Sequence, residues 1–173
     1  MSTFLTAAIV IAGTLGIVWP LIIINRKNSR RQNALLLSTF SQASSTRGFD
    51  ISSQEMLTDH IIGVDSKKQQ MLIHKFNEEP AFTSINLAEL KSCAITKTFE
   101  TVHYGNSKNF SAEQELQYIF LQLSFKQKNQ DFSIPFYNSR VNSIYQKAEL
   151  EKKAQFWELL INQMLKQPMM ARV

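Results

Sequence analysis

Charge is missing from one long stretch of this 173-residue chain. From Phe4 to Ile24 the sequence reads FLTAAIVIAGTLGIVWPLIII, with no ionisable side chain. Cysteine is nearly missing as well. The single Cys93 excludes an intramolecular disulfide framework and suits a reducing compartment. Glycine is scarce: beyond the apolar stretch only Gly48, Gly63 and Gly105 occur, which excludes a glycine-rich phosphate loop. The three histidines, His60, His74 and His103, stand far apart, and no His/Cys cluster has metal-ligand spacing. No serine elbow or Cys–His arrangement is present. No catalytic, cofactor-binding or metal-binding residue is therefore expected, and a binding module is favoured over an enzyme.

The uncharged run is long enough to cross the hydrocarbon core of a bilayer as a helix. Arg26, Lys27, Arg30 and Arg31 follow at once and favour a cytoplasmic location for that side. Trp19 suits the interfacial level, and Pro20 lies near the cytoplasmic end, where a kink removes few hydrogen bonds. A cleaved signal peptide would need positive side chains before the run and small residues after it, and both are lacking. Ala8, Ala12 and Gly16, four apart, form a candidate face for a second helix and thus for a homo-oligomer. The expectation is a single-pass protein of the cell (inner) membrane, with its N-terminus outside.

The chain holds 19 Lys+Arg against 14 Asp+Glu. Setting aside the four basic residues at 26–31 leaves 15 against 14, so the basic character belongs to the membrane boundary. The remainder lacks the basic face a nucleic-acid binder needs. Arg26, Lys27, Arg30 and Arg31 are the candidate membrane-charge anchor.

The expected layout is a transmembrane helix over 1–25, a basic juxtamembrane segment and helical stalk over 26–57, a folded domain over 58–167 and a tail over 168–173. Within 28–46, Leu36, Phe40 and Ala43 keep helical spacing, and later Ser and Thr suggest fraying after Phe40. Residues 49–58 are ambiguous, with Ser53 to Leu57 able to make one short helical turn. From Asp59 the period changes to two, with runs at 60–65, 70–76, 82–87, 91–102, 116–125 and 131–137. Pro135 sends the last run to an edge or a bulge. Cys93, in an alternating stretch, reads as an inert buried thiol, and His74 as inward-facing. Ser143 and Gln146 fit a capping box. Leu150, Ala154, Trp157, Ile161 and Met164 then recur as the stripe of an amphipathic helix. The polar face mixes Glu149, Glu151 and Glu158 with lysines, so packing over a sheet or barrel mouth is expected rather than a membrane surface.

The whole is an α+β pattern of five or six antiparallel strands closed by one helix. Three local features carry a resemblance over 58–167. Ile62-Gly-Val-Asp65 precedes a lysine-rich turn. Ser84-Ile-Asn-Leu-Ala-Glu-Leu-Lys-Ser-Cys93 reads as strand, short bend and strand. Trp157 sits in the last helix. In these respects the chain resembles membrane-anchored bacterial pleckstrin-homology-like (PH-like) domain proteins. The resemblance implies an antiparallel sheet or barrel capped by a C-terminal amphipathic helix. In some eukaryotic members a basic first loop binds phosphoinositides; the matching residues here are Lys67 and Lys68, with Lys75 on the next strand. The expected function is that of a membrane-anchored adaptor or structural subunit with a cytoplasmic protein-binding domain. The contact would be a sheet edge or the groove beside the last helix. An anionic-lipid sensor is the alternative, and a small enzyme the second.

Overall fold

The computed structural model describes residues 33–76, 82–104, 111–127 and 131–166. The expected span, its basic flank and the Ala8/Ala12/Gly16 face lie outside the described residues. Among the described residues no helix is long and apolar enough to cross a membrane.

Helix α1 occupies residues 33–46. Among the described residues seven strands follow: β1 (Ser53–Met56), β2 (His60–Asp65), β3 (Gln70–Lys75), β4 (Phe82–Asn86), β5 (Leu90–Tyr104), β6 (Ser111–Phe125) and β7 (Phe132–Asn138). Helix α2 (Lys147–Lys166) closes the fold. The strands form two antiparallel sheets, ordered β1-β2-β3-β4 and β5-β6-β7. A 3-10 turn at Leu87–Glu89 joins them, with Asn86 accepting from Ala88 N at its start. The α+β class, the antiparallel sheets and the C-terminal helix agree with the sequence.

Three expectations need correction. Ser53–Met56 is a strand, not a helical turn, because it pairs along β2 from Ser53↔Val64 to Met56↔Ile61. Helix α1 does not fray after Phe40. Its late hydroxyls bond back to the preceding turn, Ser44 Oγ to Phe40 O at 2.6 Å and Thr46 Oγ1 to Gln42 O at 2.9 Å. Gly48, at φ +78°, then ends the helix, with Gly48 N donating to Ser45 O and Phe49 N to Ser44 O. Nor is the described part of 26–57, residues 33–57, merely a stalk. Phe40 is fully buried against Ile61 and Leu72, with Leu37, Phe49, Ile51 and Phe82 around them, so α1 covers the outer face of the first sheet.

Covering both faces of that sheet explains β2, in which all six residues are buried. Its inner face joins the second sheet and α2 in the main core, which holds Ile62, Val64, Ile73, Ile119, Leu121, Leu123, Ile134 and Trp157. The buried stripe of α2 is Leu150, Ala154, Trp157, Ile161 and Met164, as the spacing predicts. The capping box also forms, with Ser143 and Gln146 bonding each other's backbone at the 3-10 turn Ile144–Gln146. Each large buried side chain of the stripe contributes about 1.5–3 kcal/mol. The pair of the exposed Glu149 with the half-buried Lys153 contributes a few tenths, so packing rather than charge seats the helix. Lys153 also reaches Glu55 of β1 at 3.2 Å. Partial burial alone would lower its pKa, but the hydrogen bonds to Glu149 and Glu55 outweigh it and raise the pKa.

Candidate functional site

The two sheets leave strand edges, and these edges are not equivalent. The β5 edge beside α2 is closed. Asn162 clamps Cys93 from both sides, its Oδ1 accepting from Cys93 N at 3.3 Å and its Nδ2 donating to Cys93 O at 2.8 Å. One helical turn earlier Glu158 Oε1 accepts from Ile95 N at 3.2 Å. Lys97 then pairs with Glu151 at 2.6 Å. Residues 93, 95 and 97 are thus tied to the helix side chains that pass them. The groove between the last helix and the strands, one of the two expected contacts, is filled by these bonds. Burial, with a smaller contribution from the Glu158 charge, pushes the Cys93 thiol up to about 12.

β1 and β4 are the outer strands of the first sheet, and the second sheet's other edge, β7, is open among the described residues. β7 pairs only with β6, from Leu123↔Phe132 to Tyr118↔Asn138. The register shifts between Ile119 and Phe120, which leaves Phe136 as an extra residue between Pro135 and Tyr137. Phe136 and Tyr137 are both buried. Pro135 therefore sits at an edge and beside a bulge, both foreseen for it.

Along this edge lie three cavities. The first, about 390 Å³, lies between Phe132–Pro135 and the end of the β2–β3 hairpin, with Asp59, His60 and Lys75 on its wall. The second, about 210 Å³, shares Asp59 and Pro135 with it and adds Tyr118, Phe120 and Asn142. The third, about 570 Å³, reaches through Phe132 and Asp131 to β4. They share Asp59, Pro135 and Phe132 and form a groove of mixed walls, apolar beside Pro135, Phe136 and Tyr137 and largely polar toward β4.

Those polar groups are held in place. His60 is buried, and its Nδ1 lies 2.5 Å from Oδ1 of the exposed Asp59 carboxylate. The buried Asn142 donates to Thr58 Oγ1 at 2.7 Å and accepts from Asn138 N at 2.9 Å. This pins the exit of β7 to the entrance of β2. Asp131 accepts from Gln122 Nε2 at 2.5 Å. Among the described residues no group of three His, Cys, Asp or Glu is placed to hold a metal ion.

The three lysines proposed for lipid headgroups do not form one patch. Lys67 and Lys68 lie in the turn between β2 and β3. Lys67 Nζ pairs with Asp50 at 2.6 Å, and Lys68 Nζ donates to Gly48 O. Asp65, fully buried, organises this turn. It accepts from the backbone N–H groups of Asp50, Lys67 and Lys68 at 2.9, 3.0 and 2.9 Å. Burial alone would raise its pKa; the three donors and the Lys68 charge outweigh it and hold the carboxyl below its ordinary value. Lys75 is at the far end of β3, roughly 17 Å along the strand from Gln70, and lines the first cavity instead.

His74, expected to face inward, lies instead on the outer face, half-buried between aromatic rings and stacked 4.3 Å from Phe82 under the cover of α1. The groove residues Asp59, His60, Tyr118 and Asn142 were not singled out from sequence as a site. The one local signal was Pro135, since the others meet only when the sheets fold together. No protein-family model, curated protein or solved structure matches this chain.

Proposed function

We propose that the chain is a membrane-anchored adaptor whose PH-like domain binds a protein partner along the β7 edge. The PH-like reading is supported by the four-plus-three arrangement of antiparallel strands and the C-terminal helix that closes it. The anchor reading is supported by the uncharged run at 4–24 and its basic flank. The observation that carries the binding reading is the contrast between edges. Asn162 and Glu158 occupy the β5 edge, whereas the β7 edge borders a groove lined by Phe132, Tyr118 and Phe120. An extended segment of a partner would place apolar side chains in the cavities. Its main-chain bonds would be limited at Pro135, which has no N–H to give. Homo-oligomerisation through Ala8, Ala12 and Gly16 is compatible with this role.

A photo-crosslinking residue at the exposed Ser133 of the full-length protein, in membranes, tests the reading. One defined adduct is expected from Ser133, none from Gln155 on the outer face of α2, and weaker capture when Phe132 is changed to Ala. Recovery of uncrosslinked monomer alone from every position counts against it. The lipid-sensing alternative rests on Lys67 and Lys68 in the β2–β3 turn, with Lys75 apart from them at the far end of β3. Flotation of residues 33–173 with anionic vesicles separates the two, because salt-sensitive binding lost in Lys67→Gln/Lys68→Gln would favour lipid.

A further inference from the structure

We propose that the turn carrying Val141, Ile144 and Tyr145 is a membrane-interface contact that seats the domain against the lipid headgroups; this rests on the anchor reading above. The three side chains are 62, 67 and 92% exposed, unusual for neighbouring apolar residues in a domain with a full core. The described chain begins at Asn33, at the same end of the molecule. A cavity of about 390 Å³ has Asn33 and Leu37 of α1 on one side and Gln146 and Glu149 on the other, so α1 starts beside the turn that bears Tyr145. Leu35, on that first turn of α1, is also 66% exposed.

Chain length then fixes how far this end can stand from the bilayer. The uncharged run ends at Ile24. About nine residue steps separate it from Asn33, reaching roughly 30 Å if extended and about 13 Å if helical. The turn is therefore held within reach of the headgroup layer. Its chemistry suits that layer, since tyrosine belongs at the interface, where its ring is buried and its hydroxyl stays wet. Charge does not oppose the contact. Glu55 and Glu149 at this end are both paired with Lys153, at 3.2 and 3.0 Å, while Arg140 and Lys147 flank the turn.

The test uses the full-length chain in vesicles of phosphatidylethanolamine and phosphatidylglycerol with brominated acyl chains. An environment-sensitive fluorophore is placed singly at Tyr145→Cys, Ser45→Cys or Leu15→Cys; the native Cys93 is buried and stays unlabelled. The label at 145 is expected to shift to the blue and be quenched. The label at 45, near the far end of α1, is expected to keep its emission. Quenching at 15 without quenching at 145 overturns the inference and leaves the anchor standing. Equal quenching at 45 and 145 overturns the seated orientation. No quenching at 15 overturns the anchor, and the inference with it.

Discussion

A Cβ placed on Gly63 would stand 2.8 Å from Phe40 Cε1 and 3.0 Å from its Cζ. The glycine of β2 is thus the seat on which α1 rests, and a ring rather than a turn requires it. Gly63→Ala should destabilise by about 1–3 kcal/mol, the cost of overpacking. In a Phe40→Leu background the same change should cost less, because the two sites are coupled. Urea unfolding of the four chains of this cycle measures it. Equal costs in both backgrounds would show that α1 does not press on Gly63.

Asn162→Ala would leave the N–H and C=O of the buried Cys93 without their side-chain partner. Two stranded polar groups predict a loss of roughly 2–4 kcal/mol, larger than for an exposed Asn. Substitution of the exposed Gln163, the next residue on α2, is the control and should change little. Denaturant midpoints at unchanged slope check both.

Asp65 has a lowered carboxyl pKa in the fold. Its contribution is complete above the ordinary carboxylate range and is lost as pH falls below about 4, where the unfolded state takes up the proton first. Asp65→Asn should therefore lower stability at neutral pH and flatten the acid limb of the stability–pH curve. An acid limb as steep as that of the native protein would refute the assignment.

The Cys93 thiol is raised to about 12 by burial. Unfolded chains ionise near the ordinary thiol value while the folded thiol stays neutral. Its contribution is therefore intact below about pH 8.5 and declines as pH rises toward 12. Cys93→Ala should lose that alkaline slope, at the cost of a small cavity. In the native protein the thiol should react with a disulfide reagent only at the rate of unfolding, and rapid labelling at neutral pH would contradict its burial.

The strands legible in sequence were those with alternation, notably Leu116–Phe125, where Ile119, Leu121 and Leu123 are buried as the period of two requires. β1 was missed because Ser-Gln-Glu-Met carries no pattern of its own and becomes a strand only by pairing with β2. The role of α1 was missed for a related reason. The run His60–Asp65 reads as one strand of a hairpin, and nothing local says that it is covered on both faces or which segment supplies the cover. The lysine grouping failed because neighbours in sequence were treated as neighbours in space across the length of β3.

What the sequence determined by itself was local: the helix stripe of Leu150, Ala154, Trp157, Ile161 and Met164, the capping box of Ser143 and Gln146, and the edge placement of Pro135. Each depends on periodicity or on backbone chemistry within a few residues. Only the tertiary structure decided which edge stayed open. Asn162 and Glu158 lie more than sixty residues from the backbone groups they bond, Cys93 and Ile95, and His60 meets the β7 groove only where two sheets converge. Polar side chains carry no address for a distant backbone group, so that choice is made when α2 docks on its apolar stripe.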